Sequence, residues 1–562
     1  MKVVIVGGVA GGASAAARLR RLNENAQIVI FERTGYMSYA NCGLPYYIGG
    51  EIGDEEELTL QTPEAFWDRF RVDVRVHHEV TKINRERKTV TVKNLENGKT
   101  YEEGYDKLIL SPGAKPVKPD MKGLDSPLIF TLRTVEDTLG IKSFIDSRKP
   151  KSALVVGGGF IGMEMCENLA ALGISVSLIG RSDHLFPPFD FDMACALHAE
   201  AERHGVTLLL DTEVNAFETK DEKITAFTDN GAISADMALL SIGVSPESSL
   251  AADAGLKLGL KNSIYVNNSL QTSDPDIYAV GDAIEVSHIV TAKKALISLA
   301  GPANKQGRIA ADNICGINSE YKGSLGSSVL KFFNLTAASA GLNEEAAKRA
   351  GYDFEKIILS PMSHASYYPG GSAMTVKVIF ERKTQKLLGA QIVGYDGVDK
   401  RIDVIATAMR AGLKGSELAE LELAYAPPYS SAKDPVNMVG FMIENISNGL
   451  VKQFHYEDID ALVNNKSVFL LDSRTPGEYA RGHIDGFVNI PVDSIRERLD
   501  EIPKHKPVYV ICQSGLRSYL TCRILSENGY NCYNFSGGYR FYSTVKHGKE
   551  QAKRTFSCGM NN

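Results

Sequence analysis

Two cysteines in this chain stand in settings that suit sulfur chemistry. Cys42 lies in Ser38-Tyr-Ala-Asn-Cys-Gly-Leu-Pro-Tyr46, between Asn41 and Gly43 in a loop of turn formers. Cys512 opens Cys512-Gln-Ser-Gly-Leu-Arg517, after an apolar run and before a helical pattern. A nucleophilic cysteine needs partial exposure and a field that favours the thiolate. The Cys512 loop offers such a field: successive N–H groups face the sulfur, the helix dipole favours an anion, and Arg517 adds positive charge. Cys166, Cys195, Cys315, Cys522 and Cys532 read as buried small hydrophobes. Cys558 sits in the polar C-terminal stretch and is assigned no role. Eight cysteines in 562 residues, none in a Cys-x-x-Cys pair, do not make a disulfide scaffold. No metal-ligand or iron-sulfur spacing is present, so no metal is expected.

Two glycine-rich turns point to nucleotides. In Val6-Gly-Gly-Val-Ala-Gly-Gly12, Gly7 permits a tight turn and Gly12 a close helix-strand approach, although Val9 replaces the middle glycine of the usual spacing. Glu32 follows about 20 residues on, at a strand end, where it suits a ribose diol. Gly157-Gly-Gly159-Phe160-Ile161-Gly162 meets the spacing in full. The strand after it ends in Gly180-Arg181-Ser182 rather than in a carboxylate. Arginine there pairs with a 2′-phosphate, which favours NADPH over NADH.

These residues need elements to hold them. Val3–Val6, a helix over 13–22 and a strand over 28–31 make one β-α-β unit. A strand over 153–156, a helix over 163–172 and a strand over 175–179 make another. Ile277-Tyr-Ala-Val-Gly-Asp282 reads as a strand ending in an acid. Strands over 376–380 and 387–393 with a helix over 401–411 suggest an α+β domain. Ser447-Asn-Gly-Leu450 reads as a linker. Strands over 468–472 and 508–511 and a helix over 518–528 form a small α/β domain. The stretch from Lys546 is polar and is expected to be frayed or loosely docked.

Composition agrees with a globular chain of three to five domains: 44% hydrophobic and 23% charged residues. The net charge of -6 argues against a nucleic-acid partner. No apolar stretch is long enough to span a bilayer, and the first residues lack the pattern of a secretory signal. A cytoplasmic location is the expectation.

With Gly7-Gly-Val-Ala-Gly-Gly12, Ser38 to Pro45, Thr272 to Asp282, His364-Ala-Ser-Tyr-Tyr-Pro369 and Ala424-Tyr-Ala-Pro-Pro-Tyr429 in view, residues 1 to 446 resemble the single-cysteine branch of the pyridine nucleotide-disulfide oxidoreductases. The likeness is to its coenzyme A-disulfide reductases in particular. That family also carries valine in its first turn, so Val9 no longer counts against FAD. The resemblance implies FAD on the first unit, with Glu32 on its ribose and Asp282 near its phosphate or ribitol. Taken with the residue-level reading, the expected cofactor-binding positions are Gly7, Ala10, Gly11, Gly12, Glu32, Arg33, Ala114, Gly157, Gly159, Phe160, Ile161, Gly162, Arg181, Gly243, Gly281, Asp282 and Ala300. Coenzyme A contacts map onto Arg21, Ser38, Asn41 and Lys433. Arg18, three residues from Arg21 on one helix turn, is a further candidate. Tyr367 and Tyr425 map onto tyrosines that a second subunit supplies, and Tyr425 is the expected partner of the departing thiolate. The chain lacks both the second cysteine near Cys42 and the histidine in 424–446 that the two-cysteine branch uses.

The segment from Tyr456 to Tyr542 resembles a rhodanese domain, through Leu471-Asp-Ser-Arg474, Glu478-Tyr-Ala-Arg-Gly-His483-Ile-Asp-Gly486 and Cys512 to Arg517. This implies a sulfane sulfur carried on Cys512. The expected class is α/β. It comprises an FAD-binding domain (1–112 and 265–325), an NAD(P)H-binding domain (113–264), an α+β dimerisation domain (326–446), a linker (447–455), a rhodanese α/β domain (456–543) and a tail (544–562). The expected protein is a homodimeric flavin-dependent reductase. It passes electrons from NADPH, less favourably NADH, through FAD to Cys42, and so reduces coenzyme A disulfide, coenzyme A persulfide or polysulfide. Two alternatives are an NAD(P)H oxidase or peroxidase using Cys42 as a sulfenic acid, and a non-enzymatic sulfur carrier.

Overall fold

The structure is a computed structural model that describes residues 1–554. The chain divides into two units, residues 1–182 with 205–326, and residues 183–204 with the segment from Ser327 onward.

The first unit contains two parallel five-stranded sheets. In one, Lys2–Val6 lies between Gln27–Phe31 and Lys107–Leu110, with Asp73–Arg75 and Ile277–Ala279 at the edges. In the other, Ser152–Val156 lies between Ser175–Ile179 and Met237–Leu240, with Thr207–Leu209 and Ile129–Phe130 outside. The central strands are continuous runs of fully buried Val, Ile and Leu, as expected where both faces of a parallel sheet are covered. Each central strand feeds a helix: Ala10–Leu22 in the first sheet and Phe160–Ala171 in the second. Both helices start three residues earlier than the sequence pattern predicts. The second half of each glycine turn is the helix's first turn, which the missing side chains leave room for.

The second unit holds an antiparallel sheet in the order Ser328–Phe332, Leu335–Gly341, Leu387–Gly394, Thr375–Glu381, Phe354–Leu359. The Val398–Ala411 helix covers it. It also holds a parallel sheet in the order Gln453–Phe454, Cys532–Phe535, Val508–Ile511, Phe469–Asp472, Val488–Asn489. The two sheets are tied together: the Ile358 N–H donates to Ser536 Oγ at 2.8 Å, and Lys356 Nζ reaches Glu457 Oε1 at 2.6 Å.

The expectation of a loose tail is corrected in part. Residues 546–554 belong to a helix, Gly538–Arg554, that packs on the Phe191–Arg203 helix. A Cβ on Gly548 would lie 2.5 Å from Cys195 Sγ, and His547 Nε2 lies 2.8 Å from Glu202 Oε2. The stretch is polar because only one face is buried. Cys558 lies outside the described residues. Among those residues no helix is long and apolar enough to cross a membrane.

Candidate functional site

The two glycine turns are built alike. Gly7 and Gly157 have φ of +95° and +114°, the left-handed region that glycine enters freely. A Cβ on Gly12 would lie 1.9 Å from the Gly7 carbonyl oxygen, and one on Gly162 at the same distance from that of Gly157. Each helix therefore begins with unobstructed N–H groups, the arrangement that holds a dinucleotide pyrophosphate. Glu32 is buried at the end of its strand. Its Oε2 accepts from the Gly8 N–H at 2.9 Å and its Oε1 from Thr34 N at 3.0 Å, so the carboxylate is fixed beside the turn with acceptor capacity to spare. These residues fit FAD.

Several expected cofactor positions have partners that the sequence did not disclose. Arg33 forms a two-point ion pair with Glu247, both contacts at 2.7 Å. Asp282 Oδ2 accepts from Arg133 Nη2 at 3.1 Å, and the Gly281 N–H donates to Gln306 Oε1. Ala114 is buried in a short strand, and Gly243 is exposed with φ +117°. Ala300 begins the Ala300–Ile314 helix, which packs closely on Ala10–Leu22. Phe160 and Ile161 form the first turn of the second helix, after Gly159. Arg181 is exposed, with Glu213 3.9 Å away.

Cys42 sits in a short 3-10 turn, Asn41–Gly43, ahead of the Leu44–Gly49 helix. The loop is pinned to the first glycine turn by the Ser38 N–H, which donates to the Gly8 carbonyl at 2.9 Å. Ser38 pays for this with φ +44°. Gly43, Leu44 and Pro45 are buried, and Cys42 is the exposed cysteine among the described residues. The Leu44–Gly49 helix rests on the second nucleotide unit, where a Cβ on Gly49 would come 2.0 Å from Asn168 Oδ1. This packing brings the first turns of Phe160–Ala171, and hence Glu164, toward the thiol. Although Cys42 keeps contact with solvent, the partial burial of its sulfur leads the forces that push the thiol up, Glu164 and Asp282 add to it, and Arg133 opposes them. Glu164 is itself raised to about 7 by burial and by Glu167. The protein surroundings alone thus do not supply the thiolate-favouring field. Glu164 was missed because its role depends on helix packing between distant segments.

Of the coenzyme A candidates, Arg21 is exposed, while Arg18 Nε donates to Asp312 Oδ1 at 2.7 Å, so Arg18 is already paired. Asn41 is half-buried and adjoins Cys42. In the second unit Tyr367 and Tyr425 are exposed, and their hydroxyls lie 2.8 Å apart. Lys433 is exposed near the start of the Pro435–Ser447 helix.

Cys512 is fully buried at the end of Val508–Ile511. The Gly515 N–H donates to its sulfur at 3.1 Å and Ser518 Oγ at 3.3 Å. Arg517 makes a two-point ion pair with Glu478, both contacts at 2.7 Å, which holds the Glu478 carboxyl down at about 2. Asp472 and the fully buried Arg474 are paired, and the Arg474 guanidinium lies 3.9 Å over the Tyr539 ring. The Tyr539 N–H donates to the Cys512 carbonyl, so the conspicuous Asp-Ser-Arg motif supports the loop from behind. Cys166, Cys195, Cys522 and Cys532 are buried as expected, whereas Cys315 is only half-buried because it closes a helix at the surface.

Comparison with known proteins agrees with this geometry. Residues 1–359 match the pyridine nucleotide-disulphide oxidoreductase family, residues 327–435 its dimerisation domain and residues 455–544 the rhodanese-like domain. The coenzyme A disulfide reductase of Staphylococcus aureus is 40% identical over 441 residues, 78% of this chain and 99% of that protein. The reduced Bacillus anthracis CoADR-RHD structure superposes with a TM-score of 0.95 at 50% identity, covering 97% of this chain and 98% of that one. A structure titled as an NAD-dependent persulfide reductase from A. fulgidus gives 0.91 at 37% identity, covering 96% and 100%. The family implies FAD and NAD(P)H. With two nucleotide cradles and an exposed thiol pinned to the first of them, this chain belongs to the pyridine nucleotide-disulphide oxidoreductases and carries a C-terminal rhodanese-like domain.

Proposed function

We propose that the protein reduces coenzyme A disulfide and coenzyme A persulfide or polysulfide with electrons from NAD(P)H, using Cys42 as the redox thiol. The observation that carries this reading is Cys42 itself: exposed, solitary, and on a loop anchored to the turn that fits FAD. FAD, when bound, relays two electrons from the nicotinamide to a disulfide. The Cys42 thiolate attacks coenzyme A disulfide, forms Cys42–S–S–CoA and releases one coenzyme A thiolate. With a coenzyme A persulfide the same attack releases hydrosulfide. Two electrons then return Cys42 to thiolate and release coenzyme A. Glu32 and Asp282 hold FAD, and Arg21, Ser38 and Asn41 contact coenzyme A. Arg18 is the weaker candidate, because Asp312 already engages it.

The coenzyme A disulfide reductase relative and the persulfide reductase structure support this substrate class. The dimerisation-domain match supports a homodimer in which the Tyr367–Tyr425 pair of a second copy donates a proton to the departing thiolate. Arg181, exposed and weakly partnered, supports a preference for NADPH. The A. fulgidus structure is named for NAD, so Arg181→Glu settles the preference: it is expected to lower kcat/KM for NADPH and spare NADH, and equal effects on both would remove the assignment. In the rhodanese-like domain the Cys512 thiolate, stabilised by the Gly515 N–H and the Ser518 hydroxyl, attacks the sulfane sulfur of thiosulfate, breaks its S–S bond, releases sulfite and becomes a persulfide. The reading is tested by intact mass under non-reducing conditions after incubation with coenzyme A disulfide. One coenzyme A adduct per chain, mapped to Cys42, is expected. Adducts elsewhere would overturn the assignment to Cys42, and a Cys42 sulfenic acid with rapid oxygen consumption and no adduct would favour the oxidase or peroxidase class.

A further inference from the structure

Cys522 and Cys532 are not isolated core thiols. Cys522 lies in the Leu516–Glu527 helix and Cys532 begins the Cys532–Phe535 strand. Cys532 Sγ is 3.2 Å from the Cys522 carbonyl oxygen and 3.2 Å from Ser526 Oγ, one helical turn on. Both cysteines line a cavity of about 420 Å³, with Ser526, Tyr530 and the linker residues Leu450 and Lys452 on its walls. The linker is fastened there: Arg523 Nη1 donates to the Leu450 carbonyl at 2.7 Å and Lys452 Nζ to Asn531 Oδ1 at 2.9 Å. Two basic side chains thus stand near the pair. The thiols are split in character. Cys532 is the less buried of the two, and the Cys522 side chain, together with the Ser526 hydroxyl that Cys532 faces, draws its thiol down, while burial pushes Cys522 up. Two adjacent thiols on one cavity wall, the more accessible of them beside a hydroxyl and Lys452, let one cysteine attack and the other resolve. Neither Cys42 nor Cys512 belongs to this cavity.

We propose that Cys522 and Cys532 form a second thiol-disulfide exchange site, for which small-molecule disulfides are the oxidant. The Cys532 thiolate attacks one sulfur of a disulfide RS–SR, forming Cys532–S–SR and releasing RS⁻. Cys522 gives its proton to that thiolate and displaces the second RS⁻, closing Cys522–S–S–Cys532. The dithiol loses two electrons, and the small disulfide gains them as it becomes two thiols. Excess small thiol runs the same steps backward. The ratio of disulfide to thiol around the protein is thereby written onto the seam between linker and rhodanese-like domain.

The test uses the full-length holoenzyme with Cys42→Ser and Cys512→Ser, so that the two active-site thiols are silent. It is incubated with bis(2-hydroxyethyl) disulfide without NAD(P)H, denatured in N-ethylmaleimide, digested without reductant and mapped by mass. The expected result is a Cys522–Cys532 cross-linked peptide that dithiothreitol abolishes. It should form at least about tenfold faster than any modification of buried Cys166 or Cys195. Adding Cys522→Ala should trap the hydroxyethyl mixed disulfide on Cys532. If that variant does not fold, Cys532→Ser serves instead, and in it Cys522 must remain maleimide-reactive. Recovery of both thiols as maleimide adducts, pairing of either with another cysteine, or modification no faster than at Cys166 would overturn the proposal.

Discussion

Burial, Glu164 and Asp282 keep the proton on Cys42, and Arg133 is the opposing cation. The carboxyl of Glu164, raised to about 7, is neutral below that pH and ionised above it. Its ionisation therefore hinders that of Cys42 in the range where the thiol is needed. Replacing Glu164 with glutamine should lower the apparent pKa of Cys42 by about half a unit to one unit, the scale of a single nearby charge. The check is the pH dependence of Cys42 alkylation by iodoacetamide in the holoenzyme. Wild type should rise less steeply through pH 7 than the variant, and superimposable profiles would remove Glu164 from the account. Cys42, Cys512 and the glycines were legible in the sequence because their signatures are local. Glu164 was not, because a glutamate two residues beyond a glycine turn gains meaning only when the Leu44–Gly49 helix packs above it.

At the scale of elements, the Phe191–Arg203 helix is held in the second unit by buried charge. Lys377 is fully buried in the Thr375–Glu381 strand, with Asp190 at 2.9 Å, Asp192 at 2.7 Å and Glu344 at 2.6 Å. Lys356 adds a second ammonium between Glu344 and Glu457. The three carboxylates converge as a cation site would, and Lys377 supplies the positive charge. Lys377→Met leaves the buried Asp192 without its ammonium, while Lys356 still serves Glu344, and should cost about 3–5 kcal/mol in chemical denaturation. A loss below about 1 kcal/mol, the range of an exposed ion pair, would contradict this. Although burial opposes its ionisation, Glu344 is held down at about 2 by Lys377 and Lys356. Its folded pKa lies below the unfolded value of about 4.3. Its stabilisation is therefore present above pH 4.3 and is lost as pH falls toward 2. A Glu344→Gln variant should lose stability at pH 7 but close the gap to wild type as the pH is lowered through that window. The strand itself was readable from its apolar run. The partners of its buried lysine come from two other segments that periodicity does not connect. The Gly538–Arg554 helix escaped for a related reason: its polar residues mask the one face that meets the Phe191–Arg203 helix.

At the scale of the molecule, a reductase and a rhodanese-like domain share one chain, and each has a cysteine held by its own elements. Cys42 depends on a loop fastened to a glycine turn, and Cys512 on a loop whose donors surround a buried sulfur. Because each cysteine stands on its own elements, their losses should be separable. Cys512→Ser should keep NAD(P)H-dependent reduction of coenzyme A disulfide within about twofold of wild type, since no residue of that step is touched. It should lower thiosulfate:thiol sulfur transfer at least about 100-fold, the cost of removing a nucleophile. Parallel losses in both assays would argue for one shared thiol route. The domain order was legible because each domain carries a local motif. The extent of packing between the antiparallel sheet and the rhodanese-like sheet was not, since it runs through single bonds such as Ile358 to Ser536.

The proposed function requires Cys42 to be the thiol that receives electrons. The direct measurement is anaerobic release of coenzyme A thiol from coenzyme A disulfide by a Cys42→Ser holoenzyme, with flavin content read from its visible spectrum. Full FAD occupancy is expected, with a rate reduced at least about 1,000-fold, because no mixed disulfide can form. A flavin-replete variant that releases thiol at the wild-type rate would contradict that requirement.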